Sequence, residues 1–183
     1  MQSISKLTQT ELIWNQPKFS REYFVLDAGD EMYAEIWWTK WLSDEAIART
    51  ADSQWTFDRQ GCWRDRIVAY HESSQTPVAQ LVLPGLKESG LLLTGDRTYD
   101  WYRTRVLGEA WAFALAGGEQ IFEIELGMHW FKRRAWIDLD PAQFTNSDLE
   151  LLLCLGFYIA VCMDQDSAAV AAAVAGGTVA AIG

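Results

Sequence analysis

The chain has 183 residues, half of them apolar, with ten tryptophans and a formal charge of −10. That length and apolar content fit one domain with a sizeable core and exclude wholesale disorder. The acidic balance repels nucleic acid and anionic surfaces, so either would have to be met through a local basic patch.

Residues 1–17, "MQSISKLTQTELIWNQP", read as an N-terminal extension. They lack a basic segment followed by an apolar run, so no secretory signal is expected, and the protein is expected in the cytoplasm or peripheral at a membrane. From residue 18 to about 140, short runs rich in aromatic and β-branched residues alternate with turn residues. "FSREYFVLDAGDEMYAEIWW" reads as two strands around Asp27-Ala28-Gly29-Asp30. "WLSDEAIARTAD" follows, where Ser43 caps a short helix over 44–49 or the segment is an irregular loop. "QWTFDRQG" and "CWRDRIVAYH" are two more strands, with Gly61 at the turn. "PVAQLVLPG", "GLLLTG", "TYDWYRTRVLG" and "EAWAFALAGGEQIFEIELG" continue the series. Gly117-Gly118 predicts a two-residue hairpin in which both turn positions take positive φ. In "QIFEIELG", Phe122, Ile124 and Leu126 share one face, and Glu123 and Glu125 the other. In "HWFKRRAWIDLD", Phe131, Ala135, Ile137 and Leu139 share a face opposite Trp130, Lys132, Arg134, Trp136, Asp138 and Asp140. One buried face and one wet face is the signature of antiparallel sheet, and turn signals about every ten residues point to a sandwich or barrel.

"SDLELLLCLGFYIAVCMDQD", residues 147–166, is apolar all round and predicts a helix buried on every side. Ser147 and Glu150 have capping-box spacing. The run from Leu149 to Met163 covers roughly 22 Å as helix, short of a bilayer, and its flanks are acidic. It therefore reads as the plug of a closed sheet and not as a stable membrane span, with a membrane tether as an alternative. Gly156 is expected where an aromatic or a strand approaches closely, and Tyr158 must find a partner for its hydroxyl. Residues 167–183, Ala- and Gly-rich, extend the helix or form a disordered tail.

Taken together, "WTFDRQGCWRDRIVAY", "YDWYRTRVLGEAWAF" and "DLELLLCLGFYIAVCMDQD" resemble the tubby C-terminal-like superfamily, which includes tubby proteins, phospholipid scramblases and LURP-one-related proteins. The resemblance covers residues 18–166 and rests on the order and texture of the elements. It implies a mainly β fold: a closed antiparallel barrel of about twelve strands around a C-terminal hydrophobic central helix at 147–166. It also implies a binding role for Lys and Arg on neighbouring strands. The basic groups here are Lys132 with Arg134, Arg103 with Arg105, and Arg64 with Arg66.

Enzymatic motifs are missing. Neither His71 nor His129 sits in a nucleophile context, and no Gly-rich phosphate loop follows a strand. Cys62, Cys154 and Cys162 match neither a disulfide framework nor a zinc site. Glu123 with Glu125, and Asp138 with Asp140, have the spacing of acid–base pairs but read as the wet face of a sheet. Trp37, Trp38 and Trp41 form either a stacking platform or, more simply, one inward and one half-covered ring. The sequence thus predicts a non-enzymatic domain without cofactor or metal, whose outer surface binds a protein partner or an anionic phospholipid headgroup. A hollow, lipocalin-like carrier of an apolar ligand is the rival reading.

Overall fold

A computed structural model gives the structure and describes residues 1–17, 23–40, 43–61, 65–72, 74, 76–83, 89–105, 109–129 and 132–179. Twelve antiparallel strands run in chain order around a closed barrel: β1 (Glu11–Asn15), β2 (Tyr23–Ala28), β3 (Glu31–Trp38), β4 (Ala46–Thr50), β5 (Gln54–Gln60), β6 (Arg66–His71), β7 (Pro77–Val82), β8 (Ser89–Thr94), β9 (Arg97–Arg103), β10 (Ala110–Leu115), β11 (Gln120–His129) and β12 (Lys132–Leu139). A 3₁₀ turn, Pro141–Thr145, leads into the single α-helix, α1 (Leu149–Val179). β1 pairs with both β2 and β12, so no strand edge is left open.

The inward residues obey the two-residue period. Trp55 and Phe57 of β5, Tyr99 and Trp101 of β9, and Ala135, Ile137 and Leu139 of β12 are buried, while Trp136 and Asp138 face out. α1 fills the interior: from Leu149 to Met163 every residue but Glu150 is buried. It is the one described helix long and apolar enough to span a bilayer, over Leu149–Ala169, and most of that stretch lies inside the protein. The helix continues to Val179, and residues 180–183 lie outside the described residues.

The fit between helix and barrel follows from two angular steps. A helix turns about 100° per residue. Twelve strands divide the circumference into steps of about 30° each. Gly156 faces β10 and β11, where an added Cβ would lie 3.0 Å from Phe122 Cζ and 3.4 Å from Phe113 Cε2. The next residue, Phe157, faces β1 and β2, stacking on Trp14 at 4.6 Å and edge-on to Phe24 at 5.0 Å. Tyr158 faces β3 and β5, with Trp38 at 6.1 Å and Phe57 at 5.4 Å, and its hydroxyl donates to the Asp44 carbonyl. Three consecutive helical residues thus meet three successive arcs of wall, each lined by two large rings, and the glycine stands where those rings come closest to the helix backbone.

Several local expectations are corrected. The barrel does not begin at residue 18: β1 lies inside the supposed extension, where Leu12 and Trp14 point inward. Ser43 does not cap a helix over 44–49, nor is that segment irregular; Ala46–Thr50 is β4. Its pattern misleads because the inward residues are the small ones. Ala46 lies in register between Trp38 of β3 and Phe57 of β5, whose rings, with Tyr158, already fill that sector. The capping box is not made. Ser147 Oγ accepts from Arg97 at 2.8 Å, Glu150 Oε2 accepts from Thr50 at 2.8 Å, and the Asp148 carbonyl accepts the first helical bond from Leu152 N–H. At Gly117-Gly118 only Gly117 takes positive φ, +68°, and Gly118 N–H closes the turn onto the Leu115 carbonyl at 2.7 Å. The ladder shifts register between Phe113 and Ala114, and that shift absorbs the longer turn.

Candidate functional site

In an up-and-down barrel every odd strand ends, and every even strand begins, at the same end. α1 enters at the opposite end, beside Thr50 and Tyr99, which donate to Glu150 and Asp148. It leaves between the odd-strand termini, where Asp164 meets Arg133 and Asp166 meets Arg59. This is the mouth of the barrel, and the candidate basic residues collect there. Arg66 opens β6, Arg103 closes β9, Arg105 follows it by two, and Lys132 and Arg134 stand at the start of β12. Arg64 and Trp41 lie outside the described residues, as do Cys62, Trp130 and Phe131.

The residues share an end but not a face. Arg66, Lys132 and Arg134 alternate outward with their strands. Arg66 and Arg134 make no ion pair among the described residues, whereas Lys132 Nζ donates to the Pro17 carbonyl at 3.4 Å. Arg103 and Arg105 do not form one group. Arg103 has the inward phase of Tyr99 and Trp101 and lies near Glu109. Arg105 crosses the outside of β10, whose outward residues Ala110, Ala112 and Ala114 leave room for it, to reach Glu123 at 2.9 Å and Glu125 at 2.7 Å. The spacing of an acid–base pair is thus taken up by one guanidinium. A groove of about 390 Å³ adjoins it, walled by Glu11, Glu123, Glu125 and Asp138 with the exposed Trp136 ring.

Two arginines that matter at the mouth are absent from the candidate set. Arg59, its side chain only 2% exposed, makes a two-pronged bond to Asp166 at 3.2 and 2.5 Å. Arg133 reaches Asp164 at 2.5 Å. The signal was present: two-residue alternation puts Arg59 on the face of Phe57, and Arg133 on the face of Ala135. A cation on an inward position at a strand end requires a buried partner. The partners are the two aspartates that end the apolar run of α1. Burial works to lower the Arg59 proton affinity, and the Asp166 hydrogen bond together with the charges of Cys162, Asp166 and Asp44 more than reverses it. Beneath this layer, burial pushes the Cys162 thiol up to about 11, with Arg59 pulling the other way.

The remaining charges are unevenly placed. Away from the mouth the described cations are Lys6, Arg49 and Arg97, and Arg49 and Arg97 are held by Glu35 and Asp148. The far end carries Glu11, Asp30, Glu31, Asp52, Asp96 and Asp140. The space a lipocalin-like ligand would take is occupied by the buried side chains of α1 among the described residues. Of the tryptophan trio, Trp38 is buried against Phe24 and Tyr158 while Trp37 is half-covered. His71 sits edge-on to Trp55, and no cluster of His, Cys, Asp and Glu suited to a metal occurs among the described residues. No family model, curated protein or solved structure matches the chain.

Proposed function

We propose that the chain is a non-enzymatic, tubby-like binding domain that docks the mouth of its barrel on an anionic lipid surface. The observation that carries this reading is the placement of outward Arg66, Lys132 and Arg134 around the mouth, where Asp44, Glu45, Asp65, Glu109, Asp164 and Asp166 also lie, whereas the far end sets Glu11, Asp30, Glu31, Asp52, Asp96 and Asp140 against Lys6, Arg49 and Arg97 alone among the described cations. β6 and β12 stand on opposite sides of the twelve-strand ring, so one small headgroup does not bridge them. A flat surface bearing many phosphates does. Each cation near an anionic leaflet contributes about 1 kcal/mol, and the acidic far end orients the barrel away from the surface. Three cations give weak, reversible, salt-sensitive binding, which suits a peripheral cytoplasmic protein. The expected result is co-sedimentation with phosphatidylglycerol-containing vesicles at physiological salt, lost at high salt and in Arg66→Ala/Lys132→Ala/Arg134→Ala. Absence of binding, or an unchanged triple variant, removes the reading.

A protein partner is the second reading, favoured by one observation. Val82 of β7 and Leu91 of β8 are exposed register partners, and Leu93, also exposed, follows on the same outer face. Loss of a captured partner on Leu91→Asp/Leu93→Asp, with vesicle binding absent, would transfer the role to that face.

A further inference from the structure

The outer wall of the barrel carries a groove that membrane docking does not use. Strand register sets two rows side by side across β11, β12 and β1. One row is Glu123, Asp138 and Glu11; the other is Glu125, Trp136 and Ile13. Like charges directly opposite one another on a sheet repel. Glu123 and Glu125 hold the Arg105 guanidinium at 2.9 and 2.7 Å, whereas Glu11 and Asp138 have no ion pair among the described residues. The Trp136 ring, 40% exposed, lies against Gly127, where an added Cβ would come within 2.6 Å of its Cζ3. A side chain at 127 would displace the ring. So seated, Trp136 bounds a space of about 390 Å³ together with Ile13 and the four carboxylates. We propose that this groove receives an arginine side chain from an extended basic segment of a partner protein. The groove contains none of Arg66, Lys132 and Arg134, so this inference stands apart from the docking reading.

Charge decides the class of occupant. The carboxylates outnumber Arg105 in the groove, so an anionic or neutral polar segment is disfavoured there. A metal ion does not match the geometry, since no described group of His, Cys, Asp and Glu is suited to hold one. A larger cation is required, one that reaches carboxylates on strands about 4.8 Å apart. Arginine meets each demand. Its planar guanidinium bonds carboxylates through two prongs and stacks on an aromatic ring, and its aliphatic stem packs on an apolar neighbour such as Ile13. Arg105 already demonstrates that this face accepts a guanidinium. Repulsion along the Glu123–Asp138–Glu11 row is relieved when a cation arrives, so the free sheet is poised to bind one.

The probe is a short fluorescein-labelled peptide, Gly-Leu-Arg-Ile-Arg-Gly, followed by anisotropy at physiological salt. Saturable binding is expected, and the same peptide with citrulline in place of arginine should not bind. Trp136→Leu should weaken binding by about two- to fivefold, the range for a cation on an exposed indole. Glu11→Gln/Asp138→Asn should weaken it further, while its Tm stays level or rises because the like-charge row is gone. Asp58→Asn/Glu72→Gln removes as much charge on the opposite side of the ring and should leave affinity within about twofold. In an NMR titration of the wild type, the indole N–H cross-peak missing from Trp136→Leu should shift. Absence of binding, equal weakening in both double variants, or loss of binding accompanied by a lowered Tm in Glu11→Gln/Asp138→Asn overturns the proposal. Spermine that shifts the Trp136 cross-peak while the peptide does not assigns the groove to a polyamine and overturns it as well.

Discussion

Truncating Phe157 to alanine tests whether α1 is the plug of the barrel. The ring is fully buried, stacked on Trp14 at 4.6 Å and 15°, and edge-on to Phe24 at 5.0 Å. Phe→Ala in a core costs about 3–5 kcal/mol, according to how far the site relaxes. Relaxation is restricted here. The surrounding wall is a closed ring of paired strands, and no strand moves inward without breaking ladders on both sides. Two aromatic pairs are also lost, each contributing about 0.5–1.5 kcal/mol within that total. The expected loss is therefore in the upper part of the range, about 4–5 kcal/mol. For a chain of this size each kcal/mol lowers Tm by about 2–4 °C, which gives a fall of about 8–20 °C. Guanidinium unfolding followed by tryptophan fluorescence and far-UV circular dichroism measures it. Ala168→Ser, on the exposed continuation of the helix, serves as control and should change stability by less than about 0.5 kcal/mol. A Phe157→Ala loss under about 1 kcal/mol would mean that the helix is not enclosed by the strands, and the plug argument would fall with it.

Other consequences can be checked in the same assay. Arg59→Met strands Asp166, whose side chain is 30% exposed, and should cost about 1–2 kcal/mol at neutral pH, below the full penalty for a fully buried pair; if adding Asp166→Asn recovers none of it, the ion pair is not the cause. The Glu150 carboxyl is raised chiefly by burial and pulled back by Thr50. A raised folded value means stability is present in acid and is lost as pH climbs through it. Glu150→Gln should therefore gain on wild type from about pH 4.3, the ordinary glutamate value, up to neutrality, and match it in acid; a difference independent of pH contradicts this. Burial drives both helix thiols upward, Cys162 to about 11 and Cys154 further. In a Cys62→Ser background neither should react with Ellman's reagent before unfolding, and rapid labelling of the native protein would show that the helix leaves the barrel.

Local pattern carried much of the fold. The all-round apolar run named a helix that must be wrapped, and both of its finer demands are met, at Gly156 by Phe122 and Phe113 and at Tyr158 by the Asp44 carbonyl. Alternation assigned the faces of β11 and β12 correctly because the two-residue period is a property of the extended backbone itself. β4 escaped because the space its side chains enter is already filled by Trp38, Phe57 and Tyr158, so its inward residues are alanines and its outward ones large. That is a fact about neighbours on other strands and leaves no trace within five residues of sequence. The basic candidates were visible as pairs along the chain, but only the closed up-and-down topology gathers Arg66, Arg103, Arg105, Lys132 and Arg134 at one end. Only the tertiary structure separates them by face and holds Arg105 against Glu123 and Glu125. The sequence by itself determined which residues of β11 and β12 face inward and that the terminal run is enclosed, since both depend on period and polarity within one element. What closes the ring, which end α1 leaves by, and that Arg59 meets Asp166 across 107 residues of chain were decided by tertiary structure, because strand pairing and axial position are set between elements and not within them.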